Sequence, residues 1–309
     1  MASIWIAIAP TFLLIVLGFG LRRGGIPSVE FWNINDRIVY WVFMPALFFA
    51  KISAVDLHSA PLGDFAFILY AGLFGAIAFG WIMQKLCGYD PAQGTCVIQG
   101  ASRFNTFVGL AIAGSLFGNE GLQIAVLGSA LLVPVVNVSI VTLMASMLGG
   151  GQGGRVLATV KELLRNPLIL SIAVGMVFNL LGWHEIPVLH ETARVLGQGT
   201  LPVMLLCVGA NLRLDGLDAA VGPVIWATVG KLLVFPALVF AAVYIVHPQE
   251  IVAQVAMIYA ALPVAVSAYS LARQMRADAP LMAAMITAQT IAAFVTIPLT
   301  LALMAILYG

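Results

Sequence analysis

The sequence predicts an all-α polytopic membrane protein of ten transmembrane helices, built as two inverted five-helix repeats. Three observations carry this. Of 309 residues, 62% are hydrophobic and 9% charged, at a mean hydropathy of +1.05, whereas a soluble domain averages roughly 45–50% apolar and about 25% charged. The apolar residues lie in long unbroken runs, which excludes the short alternating segments of a β-barrel. Proline and glycine then recur in the two halves at a nearly fixed offset. Ten spans of roughly 20 residues would occupy roughly 200 positions and leave only short loops. Such a chain cannot cover a globule with charge, so a soluble enzyme and a disordered protein are poor readings. No nucleic-acid partner is expected either, since the net charge is only +1.

Each span follows from a run and its punctuation. Span 1 (3–22) holds Pro10 and Gly18 and ends at Arg22 and Arg23. With no basic residue before it and no small-residue cleavage site, it reads as a retained helix rather than a signal peptide. Span 2 (32–52) follows Ile26-Pro27 and contains Pro45, and span 3 (62–86) ends at Lys85. Span 4 (91–117) opens after Asp90 and closes at Gly118-Asn119, and span 5 (120–148) carries Pro134 and Asn137. A linker, 149–165, begins with Gly149–Gly154. It lacks the Lys-Ser/Thr of a phosphate loop and reads as a flexible connection. Span 6 (166–184) starts at Asn166-Pro167, and span 7 (192–212) follows Ile186-Pro187 and contains Pro202. Span 8 (220–246) carries Lys231 and stops before His247-Pro248, span 9 (250–275) carries Pro263, and span 10 (280–308) follows Ala279-Pro280. The domains predicted are thus a first repeat (1–148), the linker, and a second, inverted repeat (166–309).

Lysine and arginine set the orientation. With the N-terminus outside, the inner side holds Arg22, Arg23, Arg37, Lys85, Arg155, Lys161, Arg165, Arg213, Arg273 and Arg276, and the outer side only Lys51 and Arg194. Both termini are therefore expected on the outer side of the cell membrane. His58, His184, His190 and His247 fall on that side with no carboxylate or cysteine cluster, so no metal site is expected. Cys87, Cys96 and Cys207 read as small buried hydrophobes, with neither a disulfide framework nor a zinc motif. No cofactor is expected.

Several pairs recur in order: Pro10/Gly18 with Pro167/Gly175, Ile26-Pro27 with Ile186-Pro187, Pro45 with Pro202, and Asn119 with Asp278. Five spans per half is an odd number, so the second half must lie upside down, as in many secondary transporters. Spans 4 and 9 are the unusual ones. Span 4 carries Gln99, Ser102, Arg103, Asn105 and Thr106 near its middle, and span 9 carries Tyr259, Pro263, Ser267, Tyr269 and Ser270. Proline removes a backbone donor and breaks a helix. Broken backbone at membrane depth survives only when buried in protein or lining a cavity. Two broken helices in equivalent places would cross near the midplane and aim half-helix N-termini, with free N–H groups, at one point, which suits a carboxylate.

The candidate substrate-binding residues are Arg103, Asn105, Thr106, Asn137, Tyr259, Pro263, Ser267 and Gln289. Asn105 reads either as a ligand or as a helix–helix hydrogen bond. Arg103, at a cost of roughly 2.5–3.5 kcal/mol at a helix centre, calls for a partner, an anion, an aqueous route or snorkelling. Lys231 reads as snorkelling or as a structural hydrogen bond. No Asp or Glu falls near the centre of a span; Asp36 and Asp64 lie toward ends. That disfavours a Na+/H+ antiporter, while Na+ coupling through carbonyls and hydroxyls stays open.

The stretches APTFLLIVLGFGLRRGGI, VYWVFMPALFFAKIS, NPLILSIAVGMVFNLLG and LPVMLLCVGANL, and above all RFNTFVGL and ALPVAVSAYSLARQMRADAPLMAAMI, resemble the auxin efflux carrier family in its bacterial branch. The resemblance implies a fold similar to bile-acid symporters and Na+/H+ antiporters, with crossing helices 4 and 9. It implies a scaffold of helices 1, 2, 6 and 7, a transport domain of helices 3–5 and 8–10, an elevator motion, homodimers and organic-anion substrates. Asn105 and Pro263 carry over as crossover residues. The chain departs from the family at Trp81, where plant members have an acidic residue four before the lysine matching Lys85. It departs again at Ala111-Ile112, where many members have proline, so a less sharply broken helix 4 is expected. The function so implied is secondary or facilitative transport of a small carboxylate. A sodium-coupled symporter of the same fold and a membrane-embedded sensor are the alternatives.

Overall fold

The computed structural model describes residues 2–55, 62–149, 165–213 and 221–308. Most of the linker, including the run after Gly149, lies outside the described residues. All regular elements described are helical: α1 (Ala2–Arg23), α2 (Val29–Ala54), α3 (Leu62–Leu86), α4 (Pro91–Ser102), α5 (Thr106–Met147), α6 (Pro167–Leu180), α7 (Leu189–Ala210), α8 (Val221–Val246), α9 (Glu250–Ala261), α10 (Ser267–Gln274) and α11 (Ala279–Tyr308). Seven helical stretches among the described residues are long and apolar enough to cross a membrane. The stretch Pro91–Met147 contains both the break between α4 and α5 and a second one inside α5. There Gly118, at φ 61° and ψ −143°, takes a conformation closed to residues with a Cβ.

Local chemistry places the helix starts. Ser28 accepts from the Phe31 amide at 3.3 Å and opens α2. Asp90 accepts from Gln93 N at 2.9 Å and opens α4, with Pro91 in the first-turn position proline tolerates. Asn166 and Pro167 repeat that arrangement at α6, where Asn166 Oδ1 accepts from Leu168 N at 2.9 Å. Pro45 and Pro236 do not break their helices. Each is preceded by one π turn, Val39–Phe43 in α2 and Gly230–Val234 in α8. The wider turn removes the clash of the ring with the carbonyl four residues back.

α6 stops at Leu180, short of the expected 184. Asn179 turns its amide on the end of α2, with Nδ2 within 3.1 Å of the carbonyls of Ile52, Ser53 and Val55. Gly182, at φ 73°, then turns the chain away.

Two groups of helices pack mainly among themselves. α1 lies along α7, and α2 along α6 and α7; the second group is α3, α4, α5, α8, α9 and α11. The α1–α7 contact is backbone to backbone. A Cβ at Gly18 would land on the Leu206 carbonyl oxygen, and one at Gly209 on that of Ile15. α6 meets α2 more loosely at Gly175, where an added Cβ would stand 3.1 Å from the Ile52 side chain and 3.4 Å from the Phe49 carbonyl. Lys51 of α2 donates to Asn119 Oδ1 in α5 and ties the two groups at one end. The outer faces are apolar: Leu13 and Val16 of α1, Val177 and Leu180 of α6, and Ile291 and Leu303 of α11 are all exposed, which fits a surface facing lipid rather than water. Cys96 and Cys207 are buried as expected, but Cys87 is exposed; it follows the end of α3, where the chain has left the packed interior.

Candidate functional site

Both polar stretches singled out by sequence are breaks, and they touch. Between α4 and α5 the chain runs extended through Arg103 (φ −71°, ψ 151°) to Asn105 (φ −84°, ψ 91°). Between α9 and α10 it is extended from Leu262 (φ −62°, ψ 146°), because Pro263 forbids the helical region to the residue before it. The Asn105 backbone N–H donates to the Pro263 carbonyl at 2.8 Å. The interruption at 103–105 is complete, although proline is absent there, which corrects the expectation of a less sharply broken helix 4. Asn105 substitutes for proline by capping: its Oδ1 accepts from Phe107 N at 3.1 Å and Val108 N at 3.4 Å and starts α5 afresh.

Gln289 of α11 clamps the two breaks. Its Oε1 accepts from Val264 N at 2.9 Å, and its Nε2 donates to the Gly100 carbonyl at 3.0 Å. Tyr259 stands behind the crossing, fully buried, its hydroxyl 2.5 Å from both Ser129 Oγ and the Ala125 carbonyl. Arg103, 8% exposed, reaches across the crossing instead of snorkelling. Nη1 donates to Asn137 Oδ1 at 3.1 Å and Nη2 to Ser267 Oγ at 3.3 Å, while Nε has no protein partner.

A cavity of about 960 Å³ opens at this point. The structure brings Arg103, Asn105, Thr106, Asn137 and Ser267 to its wall, whereas Tyr259, Pro263 and Gln289 are not among its lining residues. Those three hold the crossing from behind. The wall also carries Arg37, Arg165, Arg213 and Arg273, against the single carboxylate of Asp36. None of the five arginines forms an ion pair within 4 Å among the described residues. Arg213 lies over the Tyr269 ring, 4.4 Å from its centre, and donates to its hydroxyl at 3.1 Å. Asp36 instead accepts from Asn211 Nδ2 at 2.7 Å.

The arginine ring was visible in the sequence only as a count that fixes orientation. Asn33, Asp36 and Asn211 carry no local motif; the packing of α2 against α7 brings them together.

Part of the expected set of half-helix N–H groups is engaged. Asn105 Oδ1 occupies Phe107 N and Val108 N, and turn bonds engage Ala268 N with the Ala265 carbonyl and Tyr269 N with that of Val266. The dipoles remain, but these donors are spent internally, as buried amides must be. Among side-chain atoms at the crossing, Arg103 Nε, Asn105 Nδ2 and both polar atoms of Gln99 are buried without a protein partner.

Apolar outer faces around a cationic cavity at two crossing, interrupted helices fit a polytopic membrane transporter. The family model described as "Membrane transport protein" matches residues 3–154 and 154–301, and the chain belongs to that family. It is 25% identical over 296 residues to an "Uncharacterized transporter" of Methanothermobacter thermautotrophicus, covering 93% of this chain and 94% of that one. It is also 25% identical over 295 residues to a "Putative malonate transporter" of Rhizobium meliloti, covering 89% of this chain and 87% of that one.

Proposed function

We propose that the protein carries a small organic anion across the cell membrane by an elevator-type alternation, with the crossing as its binding site. The observation that carries this reading is the Arg103 guanidinium, held in the crossing by two neutral side chains and facing a cavity with five arginines and one carboxylate. A planar, permanently charged donor array is suited to a carboxylate. The name of the Rhizobium relative agrees with a dicarboxylate.

The architecture proposed is ten spans in two inverted repeats, with α4 and the part of α5 before Gly118 as the fourth span and α9 with α10 as the ninth. The matched contacts support it: Gly18 against Leu206 recurs as Gly175 against Phe49, both members displaced by the 157 positions that separate Pro10 from Pro167. The elevator reading takes α1, α2, α6 and α7 as the scaffold and the remaining helices as the moving body. With both termini outside, Arg37, Arg165, Arg213 and Arg273 mark the cavity as open to the inner face, while Lys51 and Asn119 close the outer one.

Asn105→Asp tests the site. The aspartate keeps the acceptor that caps α5, so the unliganded Tm should change little. It replaces the unpartnered Nδ2 donor with negative charge, so thermal stabilisation by dicarboxylates and their uptake into proteoliposomes should vanish. A folded Asn105→Asp protein that transports at the wild-type rate would remove the site assignment. Running the same uptake with and without Na+ separates a sodium-coupled symporter from a uniporter.

A further inference from the structure

Four half-helix ends meet at the crossing, and they carry two signs. The N-termini of α5 and α10 are positive ends, and the C-termini of α4 and α9 are negative ends. An anion there is attracted by the first pair and repelled by the second. The two negative ends are closed differently. At α4 the Gly100 carbonyl accepts from the neutral amide of Gln289. At α9 the carbonyls of Tyr259 and Ala260 accept from Lys231 Nζ at 3.3 and 3.0 Å.

Lys231 is wholly buried and does not snorkel. It sits in the π turn before Pro236, and its Nζ lies 3.7 Å from the centre of the Phe235 ring. No carboxylate lies within 4 Å of it among the described residues. Burying an ammonium without a counter-ion is costly. At α4 neutral donors serve the freed carbonyls: the Gln289 amide at Gly100, the Arg103 backbone N–H at Gln99 and the Ser102 hydroxyl at Ile98, so a cation at α9 is not required for hydrogen bonding alone.

We propose that Lys231 sets the sign of the crossing: its ammonium cancels the negative end of α9, so that a bound carboxylate meets an excess of positive charge. It is a positioning residue for specificity, acting through α9 and not by contact. The inference rests on the anion reading above.

The test uses purified full-length protein and the variants Lys231→Gln and Lys231→Met. The unliganded Tm reports folding, and titration calorimetry gives Kd for malonate and for malonamate, its monoamide with one charge fewer. Because the energy of an ion in a fixed potential scales with its charge, Kd is expected to rise about a hundredfold for malonate and about tenfold for malonamate. An unchanged Kd, an equal loss for both ligands, or neutral variants that do not fold would each overturn the proposal. Failure of the underlying anion reading looks different, since wild-type protein would then bind neither ligand.

Discussion

Arg103→Gln should cut uptake of the proposed anionic substrate at least a hundredfold while leaving a folded protein. Removing one member of a buried, hydrogen-bonded charge pair costs roughly 2–5 kcal/mol, and a factor of a hundred corresponds to about 3 kcal/mol. Without ligand the variant loses less. Asn137 Oδ1 and Ser267 Oγ give up charged donors, the glutamine amide can replace one of them, and an unsatisfied acceptor costs about 1–3 kcal/mol. The unliganded Tm should therefore fall by a few degrees, while the stabilisation by saturating dicarboxylate disappears. Arg103→Lys keeps the charge but not the fork that spans Asn137 and Ser267, and should fall between the two. The measurement is uptake into proteoliposomes alongside thermal shift. Wild-type uptake by Arg103→Gln would move the proposed recognition of the anion to the other arginines of the cavity wall, Arg37, Arg165, Arg213 and Arg273.

What could be read ahead of the structure divides along a physical line. Features fixed by covalent geometry or by solvation were legible. Pro263 had to break its helix, and a guanidinium among apolar residues had to find partners. The two polar stretches of spans 4 and 9 therefore located the crossing. Features fixed by which side of a helix faces which neighbour were not. Tyr259, Gln289 and Ser267 are all polar and near the break, yet only Ser267 reaches the cavity. Likewise, nothing in the sequence near Asn105 shows that its side chain spends its oxygen as a cap and leaves its nitrogen free. Pro45 and Pro236 show the converse: the sequence marks a perturbation, and the π turn that absorbs it depends on the wider helix.

The second large effect is structural. Gly209→Val should prevent accumulation of folded protein, or lower the Tm so far that monodisperse material is lost at size exclusion. Its Cβ would fall on the Ile15 carbonyl oxygen, an atom of the α1 backbone that no rotamer change can move aside. Overpacking of this kind costs typically 1–3 kcal/mol and occasionally more, and a clash with rigid backbone, doubled by a β-branched side chain, belongs at the upper end. Gly20→Ala, where nothing lies within 4 Å of the added carbon, is the matched control on the same helix pair and should be neutral. A third position separates a rigid contact from a sliding one. Gly114 of α5 faces Leu201 of α7 across the boundary between the two helix groups, with Leu201 Cδ1 4.0 Å from an added Cβ and Leu122 of α5 itself at 3.9 Å. Gly114→Ala should therefore keep both Tm and transport. On the proposed elevator reading, ordinary side-chain spacing at this point of the boundary, beside tight backbone contact within the scaffold, would let one group move past the other. If Gly114→Ala were as damaging as Gly209→Val, the boundary would be locked and the two groups would have to move as one.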